Sequence, residues 1–426
     1  MINNWKEIRL VDLALFRRGS FPQPYGLDKW YDDNNGMPFI QVYDVDDNMK
    51  LKRVTKRKIS KLGAQMSVFI PKGSLILTIQ GSIGRVAITD YEAYMDRTLL
   101  VFQKFYEEVD LKFIMYIIRE LFNVAKENAN GSTIKTITKE ELSDYTIKLP
   151  PLPQQKKIAK ILSTVDNVIE KTENAIAKYQ AIKQGLMHDL FTRGIDVNTG
   201  KLRPTQQEAP ELYKESALGL IPREWEVEEL GNLTKLVTDG AHFSPVPQEK
   251  GLPIGNVKDM RDSNFDYDKC TKILPEVFKL LVRQNCSPIK GDVLLSKDGT
   301  IGKVIHFEDG REIVLLSSIA IIRVNELMDS RYLSWSLQSE YFDKALYALL
   351  SGSALKRITL KDIVKIRLPF SKDIEEQIQI ASRLEKIKDK IQTEQQALAK
   401  YQQLKAGLLQ DLLTGEVEVE VEVKVE

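Results

Sequence analysis

The chain has 426 residues, which is long for a single core and predicts two or three domains. Hydrophobic residues make up 43% and charged residues 28%, as in ordinary soluble proteins, and the formal net charge is only +1. Any surface that binds a polyanion must therefore be local. Two cysteines and three histidines exclude a disulfide framework and a metal site made of cysteine alone. No signal peptide and no run of ~18 apolar residues occurs, so we expect a reduced, cytoplasmic protein.

The second half of the chain repeats the first. Residues 177–192 recur as residues 399–414, with ten of sixteen positions identical at an offset of 222. Four further pairs of segments match in the same order, namely 5–13 with 225–233, 38–44 with 253–259, 72–85 with 290–303, and 131–138 with 352–359. Such an ordered series indicates a tandem duplication of one structural unit.

In chain order, each half begins with a globular portion. Short apolar runs between clusters of Gly, Pro and Asn/Asp predict strands, and longer amphipathic stretches predict helices. The predicted strands include 74–79, 86–88, 292–296 and 319–324, and the predicted helices include 112–128 and 331–350. Each globular portion is therefore expected to be a mixed α/β domain.

A long helix is predicted after each globular portion. Pro150, Pro151 and Pro153 end the first portion, and an apolar pattern with a seven-residue period runs from Gln154 to Phe191. The predicted seam residues of the two helices are Ile158, Leu162, Val165, Ile169, Ile176, Tyr179, Leu186, Leu190, Ile380, Leu384, Ile387, Ile391, Leu398, Tyr401, Leu408 and Leu412. This pattern indicates two coiled-coil helices, which the order of the duplication makes antiparallel. Core helices of one large domain are the alternative, but a helix of about 57 Å is long for that role.

Four polar residues interrupt the seam, and they predict pairing in one register rather than maximal stability. They are Thr172, Lys183, Glu394 and Lys405. A charge placed among the apolar seam residues, as in Ile169→Asp, is expected to cost several kcal/mol because it buries an unpaired carboxylate.

The predicted fold is α+β, with two mixed α/β domains separated by two long antiparallel helices and related by an internal pseudo-two-fold repeat. The predicted segments are a first domain at 1–150, a helix at 151–192, a linker at 193–222, a second domain at 223–370, a helix at 371–414 and a Val/Glu tail at 415–426. The alternating tail is compatible with a one-sided strand and with a frayed terminus.

Known catalytic motifs are missing from the sequence. The stretch from Lys297 to Val304 resembles a phosphate-binding loop, but it lacks the first glycine and the final Ser/Thr. No dinucleotide fingerprint, amino-methyltransferase box, H-E-x-x-H or G-x-S-x-G occurs. His188 on the first helix is matched by Gln410 in the second copy, which argues against catalysis there. We interpret the chain as a binding protein with no catalytic residues, metal or cofactor of its own.

DNA is the ligand that two similar, separated domains suit best. Segment 51–61 has six basic residues and no acidic one, although a solvated charged face would show the same pattern. Loops 81–85 and 299–303 each end in a cation, and for them we favour a tight turn required by the fold. The candidates for phosphate contact are Lys52, Arg53, Lys56, Arg57, Lys58, Lys61, Arg85, Lys297 and Lys303.

The segments that flank the helices resemble a known family. The sequences LPPLPQQKKIA at 149–159, GLMHDLFT at 185–192, GLIPREW at 219–225 and GLLQDLLT at 407–414 are similar to those of specificity (S) subunits of type I restriction–modification systems. The resemblance covers essentially the whole chain. It is weaker at 368–371, where LPFS lacks the Pro-Leu-Pro of the first copy.

The resemblance implies a non-catalytic DNA-binding subunit of a host-defence complex. Its domains would be target-recognition domains that each read one half of a bipartite double-stranded DNA target, and its helices would set the spacer. Two modification (methyltransferase) subunits with S-adenosylmethionine and two restriction subunits with ATP and magnesium would assemble on it. The alternatives are a self-sufficient DNA methyltransferase or nuclease with unrecognised motifs, and a coiled-coil adaptor that does not touch DNA.

Overall fold

The computed structural model describes residues 5–128, 136–261, 264–351 and 357–421. The chain divides into two compact units. Unit 1 consists of Met1–Glu173 together with Gln396–Glu426, and unit 2 consists of Asn174–Gln395. Both boundaries fall inside long helices, so each unit contains one part of each of those helices.

Unit 1 contains both strands and helices. Its strands are β1 (Lys6–Arg9), β2 (Ala14–Arg18), β3 (Met37–Ile40), β4 (Arg57–Ile59), β5 (Val68–Ile70), β6 (Leu75–Thr78), β7 (Val86–Ile88), β8 (Ala93–Met95), β9 (Leu99–Phe105) and β10 (Thr146–Leu149). Its helices are α1 (Leu10–Leu13), α2 (Lys61–Ala64), α3 (Leu111–Asn128), α4 (Lys139–Asp144) and the first part of α5 (Leu152–Arg193), with 3-10 turns at Asp28–Trp30 and Val42–Asp44.

Unit 2 follows the same plan with a longer lead-in. Its strands are β11 (Ile195–Asp196), β12 (Lys201–Leu202), β13 (Tyr213–Ser216), β14 (Gly219–Pro222), β15 (Trp225–Glu229), β16 (Thr234–Asp239), β17 (Leu252–Gly255), β18 (Thr271–Ile273), β19 (Val293–Ser296), β20 (Val304–His306), β21 (Val314–Leu315), β22 (Ile319–Val324) and β23 (Arg367–Ser371). Its helices are α6 (Pro275–Arg283), α7 (Ser330–Ser336), α8 (Glu340–Ser351), α9 (Leu360–Lys365) and the first part of α10 (Ile374–Thr414), with 3-10 turns at Pro210–Leu212, Leu230–Leu233 and Val257–Asp259.

The sheets repeat between the units. A four-stranded antiparallel sheet has the order β2-β9-β6-β7 in unit 1 and β16-β22-β19-β20 in unit 2. A second sheet is β4-β3-β8-β5 in unit 1 and β18-β17-β21 in unit 2, with parallel pairs β3·β8 and β17·β21. A two-stranded pair, β1·β10 or β15·β23, precedes each long helix. The fold is therefore α+β with an internal repeat, as the sequence predicts.

Hydrogen bonds show the repeat at single residues. The 3-10 turn after β3 is closed by the N–H of Gln41, which donates to the Asp44 carboxylate at 2.9 Å. The turn after β17 is closed by the N–H of Asn256, which donates to the Asp259 carboxylate at 3.0 Å. The same backbone path is thus fixed by the same device in both units.

Each unit buries one end of each long helix in its core. In unit 1, Ile158 near the start of α5 shares a core with Leu412 near the end of α10. In unit 2, Leu190 near the end of α5 shares a core with Ile380 near the start of α10. The two helices therefore pair antiparallel within each unit, as predicted. They have 42 and 41 residues, which corresponds to about 60 Å each.

Two predicted segments differ from their sequence-based descriptions. Residues 193–222, predicted as a linker without periodicity, form the antiparallel pairs β11·β12 and β13·β14. The helix predicted at 331–350 is divided into α7 and α8, because Ser339 turns the chain by donating its hydroxyl to the Ser336 carbonyl at 2.7 Å. Short polar turns of this kind leave no periodic signal in the sequence.

The tail is described up to Val421, and no strand is assigned in that part. Val419 is buried in the unit 1 core. Part of the repeat between 131–138 and 352–359 lies outside the described residues, but Thr138 and Thr359 are described and both cap the helix that follows. In the described ranges, no helix is long and apolar enough to span a membrane.

Candidate nucleic-acid interface

The basic segment 51–61 begins in the connection before β4, includes β4 and ends at Lys61, the first residue of α2. Asp44 is fully buried beneath it, and its carboxylate accepts a hydrogen bond from the backbone N–H of Lys56 at 3.0 Å. Burial raises the pKa of Asp44, although the backbone N–H groups of Gln41 and Lys56 and the charge of Lys52 act to lower it. The part of the segment that precedes β4 is therefore held to the core by a buried carboxylate.

The six basic side chains of this segment differ in how freely they could meet a ligand. The exposed ones are Lys52, Arg53, Lys56 and Lys61. Arg57 is half-buried, pairs with Asp33 at 3.2 Å and lies 3.7 Å from the centre of the Tyr31 ring. Lys58 donates to the Asn34 carbonyl at 3.3 Å. Within the described part of the chain, no hydrogen bond or ion pair engages the exposed side chains, which leaves them available to phosphate.

Aromatic rings accompany the basic side chains, a feature that our sequence analysis missed. Lys56 lies 4.8 Å from the centre of the Tyr43 ring, and Lys29 lies 4.4 Å from that of Trp30. Burial raises the pKa of Tyr43 to about 12, so its hydroxyl stays a neutral donor. The signal was present as six aromatic residues between positions 21 and 43. Alternating cations and aromatic rings are typical of surfaces that bind nucleic acid.

The two glycine loops are tight turns of identical construction. In unit 1 the Thr78 hydroxyl accepts from the N–H of Arg85 at 2.9 Å and donates to the Ser82 carbonyl at 2.5 Å. In unit 2 the Ser296 hydroxyl makes the corresponding bonds to Lys303 and to the residue 300 carbonyl, at 2.8 and 2.6 Å. These bonds support the structural interpretation that we favoured for these loops.

The cations of these loops differ in their surroundings. Arg85 forms a two-pronged pair with Asp47, at 2.8 and 2.7 Å. Lys297 is only 14% exposed and pairs with Asp239 at 3.0 Å. Both charges are thus neutralised within their own units. Lys303 is exposed and has no partner among the described side chains.

The comparisons with known proteins agree with this arrangement. The family model described as "Type I restriction modification DNA specificity domain" matches residues 2–179 and again residues 222–403. The chain belongs to this family. It is 24% identical to the type I restriction enzyme MjaVIII specificity subunit of Methanocaldococcus jannaschii, over 98% of this chain and 93% of the relative. It is 22% identical to the EcoBI specificity subunit of Escherichia coli, over 97% of this chain and 86% of the relative.

Solved structures show the same fold. The type I restriction–modification S subunit from M. genitalium has a TM-score of 0.61 at 15% identity and covers 98% of this chain, with 97% of its own length matched. A chain from a structural study of type I complex assembly and conformational transition has a TM-score of 0.53 at 16% identity, with 97% and 99% covered. As a type I specificity subunit, the chain contributes DNA recognition, and catalysis belongs to other subunits of the system.

The helices of this specificity subunit carry all sixteen predicted seam residues in buried or half-buried positions. The polar residues that interrupt the seam have partners. Thr172 donates to the Val168 carbonyl at 2.8 Å, and Lys405 pairs with Asp166 at 2.5 Å. Lys183 lies 5.0 Å from the centre of the Trp335 ring. These pairings offset the cost of polar atoms in the seam.

His188 and the acidic residues form no recognisable catalytic arrangement in the described ranges. The His188 ring is exposed, and its Nδ1 lies 3.1 Å from the Glu340 carboxylate. No group of three His, Cys, Asp or Glu side chains among the described residues could hold a metal ion. Cys270 and Cys286 are buried free thiols, and burial raises the pKa of both.

Proposed function

We propose that unit 1 and unit 2 act as two target-recognition domains, each reading one half of a bipartite double-stranded DNA target. The observation that carries this proposal is the repeated pair of sheets, in which one backbone architecture occurs twice with different exposed side chains. Sequence is read by contacts to base edges, so two frames with different surfaces suit two different half-sites. The boundaries 1–150 and 223–370 for the globular parts belong to this proposal.

Phosphate contact is assigned to the cations whose side chains form no hydrogen bond or ion pair with the described residues of their own unit. In unit 1 these are Lys52, Arg53, Lys56 and Lys61, and in unit 2 the candidate is Lys303. Arg57, Lys58, Arg85 and Lys297 are weaker candidates, because their donors already contact Asp33, Asn34, Asp47 and Asp239.

We infer further that two modification (methyltransferase) subunits and two restriction subunits assemble on the long helices in the cytoplasm. The former would bring S-adenosylmethionine, and the latter ATP and magnesium. An exposed apolar side chain at the same position of each helix supports two equivalent contacts. These are Ile182 on α5 and Leu404 on α10, with 43% and 52% of their surface exposed.

A reconstitution experiment separates this function from its alternatives. The purified chain is incubated with DNA, magnesium and S-adenosylmethionine, alone and together with the modification subunit of its own system. We expect methylated adenine in a bipartite motif from the complex and no chemistry from the lone chain. Cleavage or methyl transfer by the lone chain would identify a self-sufficient enzyme. Failure of every assembled complex to bind DNA would identify an adaptor.

The spacer between the half-sites tests the role of the helices. Each helix runs through residues of both units, so we propose that helix length sets the spacer. Adding one heptad to both α5 and α10 lengthens them by about 10.5 Å and preserves the seam, and the spacer should grow by roughly three base pairs. Methylation profiling reads the result. A four-residue insertion breaks the seam period and serves as the control. Altered half-sites with the original spacer would refute this role.

A further inference from the structure

In unit 1, strands β2, β3, β6 and β8 end and β9 begins at one place, which we name rim 1. In unit 2, strands β16, β17, β19 and β21 end and β22 begins at the corresponding place, which we name rim 2. Rim 1 comprises residues 18–20, 40–41, 78–80 and 96–98, and rim 2 comprises residues 239–241, 255–256, 296–298 and 316–318. In rim 1 the N–H of Ile79 donates to the Thr98 carbonyl at 2.9 Å. In rim 2 the N–H of Lys297 donates to the Ser318 carbonyl at 2.9 Å. The two backbones are therefore equivalent, residue for residue.

Close backbone packing fixes this frame. A Cβ atom added to Gly19 would lie 2.1 Å from the Asp96 carbonyl oxygen, and one added to Gly240 would lie 2.0 Å from that of Leu315. Both distances are far inside van der Waals contact, so only glycine fits at either position. The loop that follows each glycine carries an exposed aromatic ring beside the rim, Tyr25 or Phe243 (53% and 47% exposed). Such rings are what nucleic-acid bases stack on.

The side chains on this shared frame are reversed in charge. In the strand register Arg18 is opposite Leu100, and Asp239 is opposite Ala320. Because residues 100 and 320 are themselves equivalent, Arg18 of rim 1 stands where Asp239 stands in rim 2. The charge at this position thus differs between the two copies although the backbone is the same. A position that reads different bases is free to reverse its charge.

Rim 1 presents hydrogen-bond donors. The exposed Arg18 donates from Nε to the Arg97 carbonyl at 2.6 Å and from Nη2 to the Gln80 Oε1 at 3.3 Å. A guanidinium has five N–H groups, so three remain, and the amide N–H groups of Gln80 lie beside them. An oriented group of donors matches the O6 and N7 acceptors of guanine in the major groove.

Rim 2 presents an imidazole instead. Asp239 is buried, and its carboxylate receives Lys297 on one oxygen and the His242 Nε2 on the other, both at 3.0 Å. A carboxylate accepts, so Nε2 carries a proton, and Nδ1 is left to face a ligand. The His242 side chain is 76% exposed. It therefore offers Nδ1 to the edge of a base, in a direction that Asp239 fixes.

We propose that these rims are the base-reading sites of the two domains. Arg18 with Gln80 reads a G·C pair in one half-site, and His242, positioned by Asp239, reads a base in the other. This inference rests on the proposed function and names the residues through which the two domains acquire different half-sites.

The test uses the complete system, with this chain and its own modification subunits, in a host that lacks other adenine methylation. Arg18→Ala and Gln80→Ala should each relax one G·C position of one half-site, with roughly a 10- to 100-fold loss of preference for that base pair. His242→Ala and Asp239→Asn should relax a position in the other half-site only. The spacer should stay unchanged in all four variants, and methylation sequencing reads every outcome.

Matched controls come from the same strands. Arg17 is the exposed neighbour of Arg18 on β2, and Lys235 lies at the other end of β16 from Asp239. Arg17→Ala and Lys235→Ala should leave the motif as it is. Arg18→Lys keeps the charge without the fork of donors, so it should relax the same base pair while retaining affinity for DNA in general.

Several outcomes would overturn the inference. These are a wild-type motif from Arg18→Ala, a change in both half-sites from one rim variant, or equal effects of Arg17→Ala and Arg18→Ala. Co-purification with the modification subunits verifies that each variant assembles. If Arg18→Ala fails to assemble, Gln80→Ala provides a second test of rim 1. Absence of any bipartite motif from the wild-type complex would contradict the proposed function itself.

Discussion

A buried glutamine occupies the same position near the start of each long helix. Gln155 and Gln377 are equivalent in sequence and completely buried. Gln155 donates at 2.8 Å to the carbonyl of Pro150, directly after β10, and Gln377 donates at 2.8 Å to the carbonyl of Ser371, the last residue of β23. Each also accepts from a backbone N–H at the start of a neighbouring helix, that of Asp110 at 2.9 Å or Asp329 at 2.7 Å. The duplication has kept this four-part junction intact.

The residue before each glutamine differs in kind. Glu376 is buried and accepts hydrogen bonds from Trp225 at 3.0 Å and Ser371 at 2.6 Å, and it forms an ion pair with Arg203. Its counterpart is Gln154, whose Oε1 is buried and has no hydrogen-bond partner among the described residues. One unit has a charged network where the other has a neutral side chain.

The difference shows that the duplicated framework does not dictate its polar interior. A buried carboxylate needs several donors, and one of them, Arg203, directly follows strand β12 of unit 2. Unit 1 has the tail after α10 in the corresponding part of the sequence, and it supplies the buried side chain of Val419. The segment that follows a helix end thus contributes a buried side chain to each unit.

Removal of the buried carboxylate should produce the largest contrast between the units. Glu376→Ala leaves the buried Arg203 with only the exposed Glu224 as an ion-pair partner, which costs about 3–5 kcal/mol. Gln154→Ala removes an amide that is only partly bonded and should cost less than about 1 kcal/mol. Urea unfolding combined with hydrogen exchange of peptides from each unit measures both. Equal losses would mean that the Glu376 network contributes nothing beyond its packing.

Substitutions in the helix seam should also destabilise the protein more in unit 2 than in unit 1, but by a smaller difference. Ile391 in unit 2 is 9% exposed, whereas its equivalent in unit 1, Ile169, is less buried. Ile391→Ala should cost about 2–3 kcal/mol, and Ile169→Ala about half of that. Thermal unfolding of the two variants decides the order. A larger effect at Ile169 would show that burial in the free chain does not rank the seam positions.

The basic segment should distinguish the units in DNA binding. Changing Lys52, Arg53 and Lys61 together to Ala should lower the dependence of log affinity on log salt by about 3, because each phosphate contact contributes about 0.9. The matched change of Lys269, Lys272 and Lys279 in unit 2 should have a smaller effect, since Lys269 already pairs with Asp266. Titration of the assembled complex at several salt concentrations tests this. If the variant of segment 51–61 and the parent showed the same salt dependence, this segment would not contact phosphate.

The smallest expected effect concerns pH. His306 of β20 takes the strand position that Ile88 takes in β7. Burial lowers its pKa from the ordinary value of 6.5, although Glu308 and Asp329 oppose this. His306 therefore binds a proton more readily in the unfolded chain than in the folded chain. As a result, unit 2 loses stability as the pH falls below 6.5.

His306→Ile gives unit 2 the residue of unit 1 and removes this loss. The urea midpoint of the variant should change less than that of the parent between about pH 7 and pH 5.5. A parallel pH dependence of the two proteins would show that other groups cause it.

The features that could be predicted from the sequence are those that follow a periodic pattern of apolar residues or that occur in both halves of the chain. The seven-residue period located α5 and α10, and the ordered series of repeated segments located the repeated sheets, because apolar spacing and duplication both survive as patterns. The Thr78 and Ser296 turns were predictable for the same reason.

The polar contacts were not predictable. Arg85 and Lys297 were selected as free cations, yet their partners Asp47 and Asp239 lie 38 and 58 positions away in the sequence, where no spacing rule connects them. The charge reversal between Arg18 and Asp239 was visible only after the strand register had aligned the two positions. Side-chain pairing depends on tertiary contacts that leave no local signal.

Unit 1 is formed by two separate stretches of the chain, and this affects the order of folding during synthesis. Unit 2 is one continuous stretch of chain, but the core of unit 1 joins Ile158 to Leu412, which the ribosome adds 254 residues later. Synthesis from the N-terminus therefore produces the residues of the first domain early and completes its core last. Until then the apolar face of α5 near Ile158 stays uncovered, so a chain truncated before residue 396 would expose it permanently.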